Sequence, residues 1–561
     1  MKRKKILVLN LTRMGDLIQT TPLIAGLKEA DPSCEITMAV NVGFIKITEY
    51  LPNIDKIISF DIAPLRPDNP GDFSALDAYR HLDSFVRELQ SGDYDILINL
   101  THSFGSGIVG KMLGIRDTRG ACLTDDGFRA IHNRWLMYFS SLLSFRHYNT
   151  FNLVDIYQLG GGVRPKKRKL TINMEKPEQE ARAFLTGLGV GEGEKIIGIQ
   201  AGSSMRERRW PPSNFAKTAD LLAERWNAKI VFFGVQSEKD LVDDVVTRMK
   251  AKDRAINLAG RTTLPQLMGV VKRCSLLVTN DTATMHIAAS VGTPIVGLFL
   301  VHAFGVETGP YCENAVILEP EISCFPCLHM SKCPHYACLA YIMPEHAVKA
   351  AEIAMSLKNG ESITADPALF EQSFGNPTMK VRVSRTIFDE HGFFDLRPVF
   401  KKPATELEIL ARMYRLVLLR PEVGAVSPAE LGKYLSENHV SASTGETREW
   451  AAKKRPVFEK IGQIAGKGVG TIIKARRDYK GGKFDYMKKY AEELAETDYA
   501  MELHAMSHPE LMVILRMFQA GRGNMAEAPV EAMLERTKIL YTEVEETAAS
   551  MVELLDALTK G

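Results

Sequence analysis

Short β-branched runs alternate with helix-forming stretches from Lys5 to Phe299, and that alternation leaves very few folds open. The runs are Lys5-Ile6-Leu7-Val8-Leu9, Glu35 to Val40, Lys56 to Phe60 and Asp95 to Leu100. A strand that pairs in parallel with the next must be followed by a crossover, usually a helix, so a repeated βα pattern builds a parallel sheet with helices on its faces. A second series follows Gly160-Gly161-Gly162 and the basic segment Arg164 to Lys169, with strands near Ile196 to Gln200, Ile230 to Gly234, Leu276 to Asn280 and Ile295 to Phe299. Two Rossmann-like domains joined by a hinge are expected. The basic segment reads as a solvated linker.

Beyond this point the pattern changes. A helix is expected from Pro344 to Leu357, stopped by Lys358-Asn359-Gly360. Residues 379–399 alternate like a hairpin, and from Thr405 onward the chain reads as helix, rich in Glu, Ala, Leu, Met and Lys. The expected division is 1–165 and 166–360 for the two α/β domains, 361–403 for a linker with a β-hairpin, and 404–561 for a helical domain whose role the sequence does not give. A chain of 561 residues has room for these domains.

Composition excludes several classes. Lys plus Arg (70) nearly balances Asp plus Glu (68), so no overall field points to nucleic acid. The basic front before β-branched residues 6–8 is interrupted at Asn10 and Arg13, too early for a secretory leader. The uncharged stretch Thr282 to Val306 is split by Gly292-Thr293-Pro294, so no transmembrane segment is expected. Eight cysteines are too few for a disulfide scaffold and fit reduced thiols in a cytoplasm.

Open α/β sheets bind ligands at the carboxyl ends of their strands. After the first strand comes Leu11-Thr12-Arg13-Met14-Gly15-Asp16, with one glycine and therefore no dinucleotide fingerprint. Asp16 read alone is either a helix cap or a catalytic base. In the second series, Gln200-Ala201-Gly202-Ser203-Ser204 runs into Arg206, Arg208 and Arg209, hydroxyls and guanidinium groups able to donate to phosphate oxygens. Thr279-Asn280-Asp281-Thr282-Ala283-Thr284-Met285-His286 joins a strand to a helix, whose free N–H groups and dipole favour an anion.

Taken together, RMGDLIQTTP, AGSSMRERRWP, FFGVQSEKD and NDTATMHIAASVGTPIVGLF resemble the bacterial lipopolysaccharide heptosyltransferases of glycosyltransferase family 9 over residues 4–357. The resemblance implies an α/β fold of GT-B architecture, two Rossmann-like domains facing across a cleft, plus the helical C-terminal domain. It implies an inverting transfer of a sugar, heptose from ADP-heptose in the usual case, to a lipopolysaccharide core or similar cell-envelope acceptor, a glycolipid or another envelope molecule. Asp16 would be the general base. Ser203, Ser204 and Arg208 would hold the diphosphate, Glu238 the ribose and Thr262 the nucleoside, with Asp281, Thr282 and His286 completing the donor motif. Ala283 stands where the family often has glycine. The alternatives are another sugar with a protein or glycan acceptor, or a nucleotide-sugar-binding scaffold without turnover.

Cys324, Cys327, Cys333 and Cys338 follow as C-x2-C-x5-C-x4-C. Such a set suits structural zinc or an iron–sulfur cluster, or packs as reduced thiols. Catalysis of this type needs no cofactor when cations and a helix N-terminus neutralise the leaving group. In the extension, Lys467, Lys474, Arg476, Arg477, Lys480, Lys483, Lys488 and Lys489 form a basic stretch. It reads as a solvated face balanced by Glu492, Glu493 and Glu496, or as a contact with an anionic membrane surface. The expected location is cytoplasmic, with peripheral contact at the inner face of the inner membrane.

Overall fold

The computed structural model describes residues 3–65, 73–328, 332–363, 366–375, 380–424, 427–439, 445–525 and 529–560. In chain order the strands are β1 (Lys5–Asn10), β2 (Glu35–Asn41), β3 (Lys56–Phe60), β4 (Ile96–Asn99), β5 (Asp117–Leu123), β6 (Arg129–His132), β7 (Ile196–Gln200), β8 (Lys229–Phe233), β9 (Ala255–Asn257), β10 (Leu276–Asn280), β11 (Ile295–Leu298), β12 (Val316–Pro320), β13 (Val381–Phe388) and β14 (Phe394–Pro398). The chain forms two compact units, one of Met1–Thr101, Ile115–Asp117 and Phe151–Lys401, the other of His102–Gly114, Thr118–Thr150 and Lys402–Gly561.

The first unit holds the parallel strands of both Rossmann-like sheets of a GT-B fold. In one, β3, β2, β1 and β4 run parallel in that order, with Lys5 opposite Glu35 and Ile6 opposite Ile96. Ile6 to Asn10 are all buried because helices cover a parallel sheet on both faces, which is why the run is apolar rather than alternating. In the other, β12, β11, β10, β7, β8 and β9 run parallel, with Leu276 opposite Ile197 and Ile196 opposite Lys229. Its core gathers Ile197, Ile199, Trp210, Phe215, Phe232, Val278 and Val296 with the helix Pro344–Lys358.

Two expectations are corrected here. The hairpin is not a linker: β13 pairs antiparallel with β12 and β14 with β13, extending the second sheet to eight strands. Val381 and Val383, two residues apart on one face of β13, point into that sheet's core, and β14 forms the sheet's edge. Met379, at the expected start of the hairpin, lies outside the described residues. Nor is the basic segment a free linker. Arg168 makes a two-pronged contact with Glu29 at 2.6 and 3.1 Å and donates to the Arg164 carbonyl at 2.6 Å, while Lys167 N donates to Gly392 O.

The second unit is helical, as expected from Thr405. Thr405 caps the helix Glu406–Val423 reciprocally with Glu408, each accepting from the other's backbone N–H. It is also a composite. Helical segments after 402 share their core with residues 118–150, which the sequence placed inside the first domain. Arg415, buried, donates to Thr150 O at 2.6 Å, Trp135 Nε1 donates to Glu422 at 2.9 Å, and Asn524 bonds both the N–H and C=O of Ile131. Within this unit, Arg476 pairs with Glu535 and Lys480 with Glu531, and Lys488 and Lys489 lie near Glu492 and Glu493. Much of the basic stretch is thus faced by acids. No described helix is long and apolar enough to cross a membrane.

Candidate active site

Most of the candidate residues collect where β1, β7 and β10 end, with Glu238 after β8 and Thr262 after β9, all within the first unit. Asp16 lies in the short helix Met14–Gln19 immediately after β1, and its Oδ2 accepts from the Arg13 N–H at 3.1 Å. Burial pushes its carboxyl above the usual range, opposed by that N–H, by the Thr12 side chain and by the Arg13 charge. Gly15 beside it is required by packing. A Cβ there would lie 2.9 Å from Cδ2 of His286, so the first-sheet loop rests directly on the second-sheet helix Ala283–Val291.

Asp281, at the end of β10, is the second carboxylate. It pairs with Arg208 at 3.6 Å and accepts from Thr308 Oγ1 at 3.1 Å. Burial raises its pKa as well, Arg208 and Thr308 pull it down, and the Asp16 charge pushes it up, so the two carboxylates lie within each other's electrostatic reach. Thr282 occupies the N-cap position of the helix Ala283–Val291 but its Oγ1 turns to Thr279 Oγ1 at 3.2 Å rather than capping. The first-turn N–H groups of that helix are therefore not satisfied by the cap side chain. His286 is 4% exposed, and burial lowers its pKa to about 4, so it is a neutral imidazole at physiological pH; its Nδ1 has no partner among the described residues.

The loop after β7 brings the hydroxyls. Ser203 is 1% exposed and its Oγ has no hydrogen-bond partner among the described residues, while its carbonyl accepts two bonds from Arg209. Leaving a buried hydroxyl unpaired costs stability, so such a group is expected where a ligand completes it. Ser204 is exposed and accepts from Arg13 Nη1 at 2.9 Å. Glu238 is held rather than open: it is 7% exposed, accepts from Gln200 at 3.3 Å and from the Val235 N–H at 3.2 Å, and a Cβ on Gly202 would collide with it at 2.0 Å. Thr262 is half-buried, just ahead of Thr263, which caps the helix Leu264–Arg273.

Arg13 thus joins Asp16 to Ser204, Arg208 pairs with Asp281, and the Asp16 charge reaches Asp281, while Thr282, His286, Ser203 and Glu238 lie on the second-sheet loops around them. Sequence reasoning missed the residues that tie the loops together. Asn280 donates to the carbonyls of Ala201 and Gly202 at 2.8 and 3.2 Å, and Gln200 joins Glu238 to Thr284. Both are polar residues at strand ends, where a buried ladder would otherwise carry apolar side chains, and that was their available signal. Arg13 was passed over although it stands between strand and helix in the first motif.

Of the cysteines, Cys324 is exposed, Cys327 and Cys333 half-buried and Cys338 buried, none of them in a disulfide. Burial raises the Cys338 thiol to about 11, with the other three thiols adding to the rise, so the four share a neighbourhood. Cys333 Sγ accepts from the Tyr336 N–H at 3.2 Å. Among the described residues the four sulfurs are not drawn together as a ligand set.

A comparison with protein families matches residues 82–336 to glycosyltransferase family 9 (heptosyltransferase). The matched span carries both loops of the second-sheet wall. Residues 82–336 are the stretch similar to glycosyltransferase family 9. Lipooligosaccharide heptosyltransferase 2 of Campylobacter jejuni is 30% identical over 175 residues, 30% of this chain and 54% of that protein. Against it the chain spans about half of the relative's length. Lipopolysaccharide heptosyltransferase 3 of Escherichia coli K12 is 26% identical over 307 residues, covering 54% of this chain and 84% of that one. Among solved structures, a glycosyl transferase family 9 protein from Veillonella parvula superposes with a TM-score of 0.51 at 29% identity, covering 63% of this chain and 97% of that chain. The family match begins after β3 and ends before β13.

Proposed function

We propose that the chain is an inverting glycosyltransferase that moves a sugar, heptose from ADP-heptose, onto a lipopolysaccharide core or a similar envelope glycolipid. The observation that carries this reading is the opposition of Asp16 to the anion-ready wall of Ser203, Arg208 and the uncapped helix start at Thr282. In it, the acceptor hydroxyl oxygen attacks the anomeric carbon and its proton passes to Asp16. The bond from that carbon to the diphosphate breaks, and the departing charge meets Arg208, the Ser203 and Ser204 hydroxyls and the N–H groups of the helix Ala283–Val291. Glu238 and Thr262 line the nucleoside side.

The heptosyltransferase names of the relatives support the sugar and the acceptor class, and the family match supports the chemistry. The four cysteines take a structural role in this reading, and metal analysis of the purified chain tests whether a structural ion holds them. The acceptor places the work at the cytoplasmic face of the inner membrane, with the chain in peripheral contact.

The test is binding followed by transfer. Among a panel of nucleotide-sugars, ADP-heptose at 100 times its dissociation constant should stabilise the chain by about 2.7 kcal/mol. Transfer to a heptose-deficient core glycolipid should follow. Binding without turnover would make the chain a scaffold, and preference for another nucleotide-sugar would reassign the donor.

A further inference from the structure

The transferase chemistry above leaves one cation of the cleft without a task. Arg13 sits between β1 and the helix Met14–Gln19, and it touches both sides of the site. Its backbone N–H donates to the candidate base, Asp16, at 3.1 Å. Its Nη1 donates at 2.9 Å to Ser204 Oγ, a hydroxyl of the second-sheet wall. Its charge also acts on both half-buried carboxylates, opposing the rise that burial gives Asp16 and Asp281.

The two arginines of the site differ in how committed they are. Arg208 is almost buried and paired with a carboxylate. Arg13 is exposed, and its partner is a neutral, exposed hydroxyl. A guanidinium carries five donors in a planar fork suited to phosphate, and a single neutral oxygen uses little of that capacity. Beside it lies the buried Ser203 hydroxyl that has no partner among the described residues. An anion seated on that hydroxyl lies one residue from the group Arg13 already reaches.

We propose that Arg13 is a ligand of the donor's diphosphate supplied from the acceptor-side sheet, its guanidinium passing from Ser204 to the phosphate that carries the sugar. This rests on the nucleotide-diphospho-sugar reading. As the acceptor oxygen bonds to the anomeric carbon, the electron pair of the breaking carbon–oxygen bond stays on that phosphate, and Arg13 meets the charge there. The hydroxyl proton goes to Asp16, which the same residue holds by its backbone. One residue thereby links leaving-group stabilisation to the placing of the base.

Calorimetry with ADP and with AMP on the full chain separates this from a mere strut between the two loops. Arg13→Gln should weaken ADP binding by about 10- to 100-fold, the range for a charge-assisted hydrogen bond, while AMP, lacking the outer phosphate, changes by less than about threefold. Arg13→Lys, which keeps the charge without the fork, should recover part of the loss. In transfer assays kcat should fall in Arg13→Gln with the melting temperature near wild type. Equal losses for ADP and AMP, or no loss for either, would overturn the proposal while leaving the transferase reading in place. A wild-type chain that binds no nucleoside diphosphate would overturn both. Should Arg13→Gln fail to fold, Arg13→Lys decides alone: a ratio of ADP to AMP affinity equal to wild type removes Arg13 from the diphosphate.

Discussion

The loops that close β1 and β10 each hold a half-buried carboxylate beside a short run of polar residues, yet the two are neutralised in different ways. Asp281 has a guanidinium at 3.6 Å and a threonine hydroxyl at 3.1 Å. Asp16 has a backbone N–H at 3.1 Å and the Thr12 side chain, with no ion pair to its carboxylate among the described residues. A carboxylate facing a fixed cation is held in one orientation, although burial raises Asp281 as it raises Asp16. One raised by burial and met by weaker donors is a better proton acceptor near neutral pH. In the proposed reaction the same residue type serves as an anchor on the donor side and as a base on the acceptor side.

The sharpest way to break that contrast is Asp16→Asn, which keeps the oxygen that accepts from Arg13 but removes the basic site. Turnover should fall by about 10² to 10⁴, some 3 to 5 kcal/mol of barrier, with ADP affinity unchanged. Because burial raises the folded pKa of Asp16, its ionisation costs the folded state, and that cost appears as pH rises through the folded value. The variant should melt at or above the wild-type temperature at neutral pH. In wild type the acid limb of kcat should lie above the ordinary carboxylate range. A variant that loses stability yet turns over normally per folded molecule would make Asp16 a cap.

Asp281→Ala is the converse test. It leaves Arg208, only 11% exposed at its side chain, without its carboxylate. Breaking a largely buried pair on one side costs about 3 kcal/mol, so thermal unfolding should show a clear loss. A fall in turnover with stability intact would instead place Asp281 in the chemistry and erase the difference between the two loops.

Much of this arrangement is readable in the chain itself. Apolar β-branched runs such as Ile6 to Leu9 locate the strands, and the residues just beyond them, Asp16, Ser203 and Asp281, locate the site, because strand ends in a parallel sheet converge on one edge. What is not readable depends on contacts between distant segments. Pairing of Val316 with Arg385 makes the hairpin an edge of the second sheet, and no local pattern announces it. Arg415 reaches Thr150 across 265 residues, and that bond and its neighbours merge an insert of the first α/β half with the C-terminal helices. Arg13 is hidden for a related reason: the sequence shows a cation near a strand end, but only the fold shows that its side chain crosses to Ser204.

A smaller effect sharpens the anchor side. Arg208→Ala should weaken ADP binding by about 1.5 to 3 kcal/mol, the range for a hydrogen bond to a charged group, measured by calorimetry. It also withdraws the cation that pulls Asp281 down, so the carboxyl of Asp281 should titrate still higher in the variant. Unchanged affinity would remove Arg208 from the diphosphate and leave it as a partner of Asp281 alone.

The smallest expected change is also the cleanest in sign. Ser203 Oγ is buried without a partner among the described residues, so in the ligand-free chain Ser203→Ala removes an unsatisfied hydroxyl and costs nothing; thermal stability should be equal to wild type or slightly higher. With ADP present the order should reverse, because the hydroxyl then donates to a phosphate oxygen and its loss weakens binding by about 1 kcal/mol. The ADP-induced rise in melting temperature should therefore be smaller in the variant although its starting temperature is not lower. Asp281→Ala behaves oppositely, losing stability before any ligand is added. If Ser203→Ala instead destabilises the free chain and leaves the ADP-induced shift unchanged, the hydroxyl serves the fold, and the wall opposite Asp16 must find its phosphate donors among Ser204 and the start of the helix Ala283–Val291.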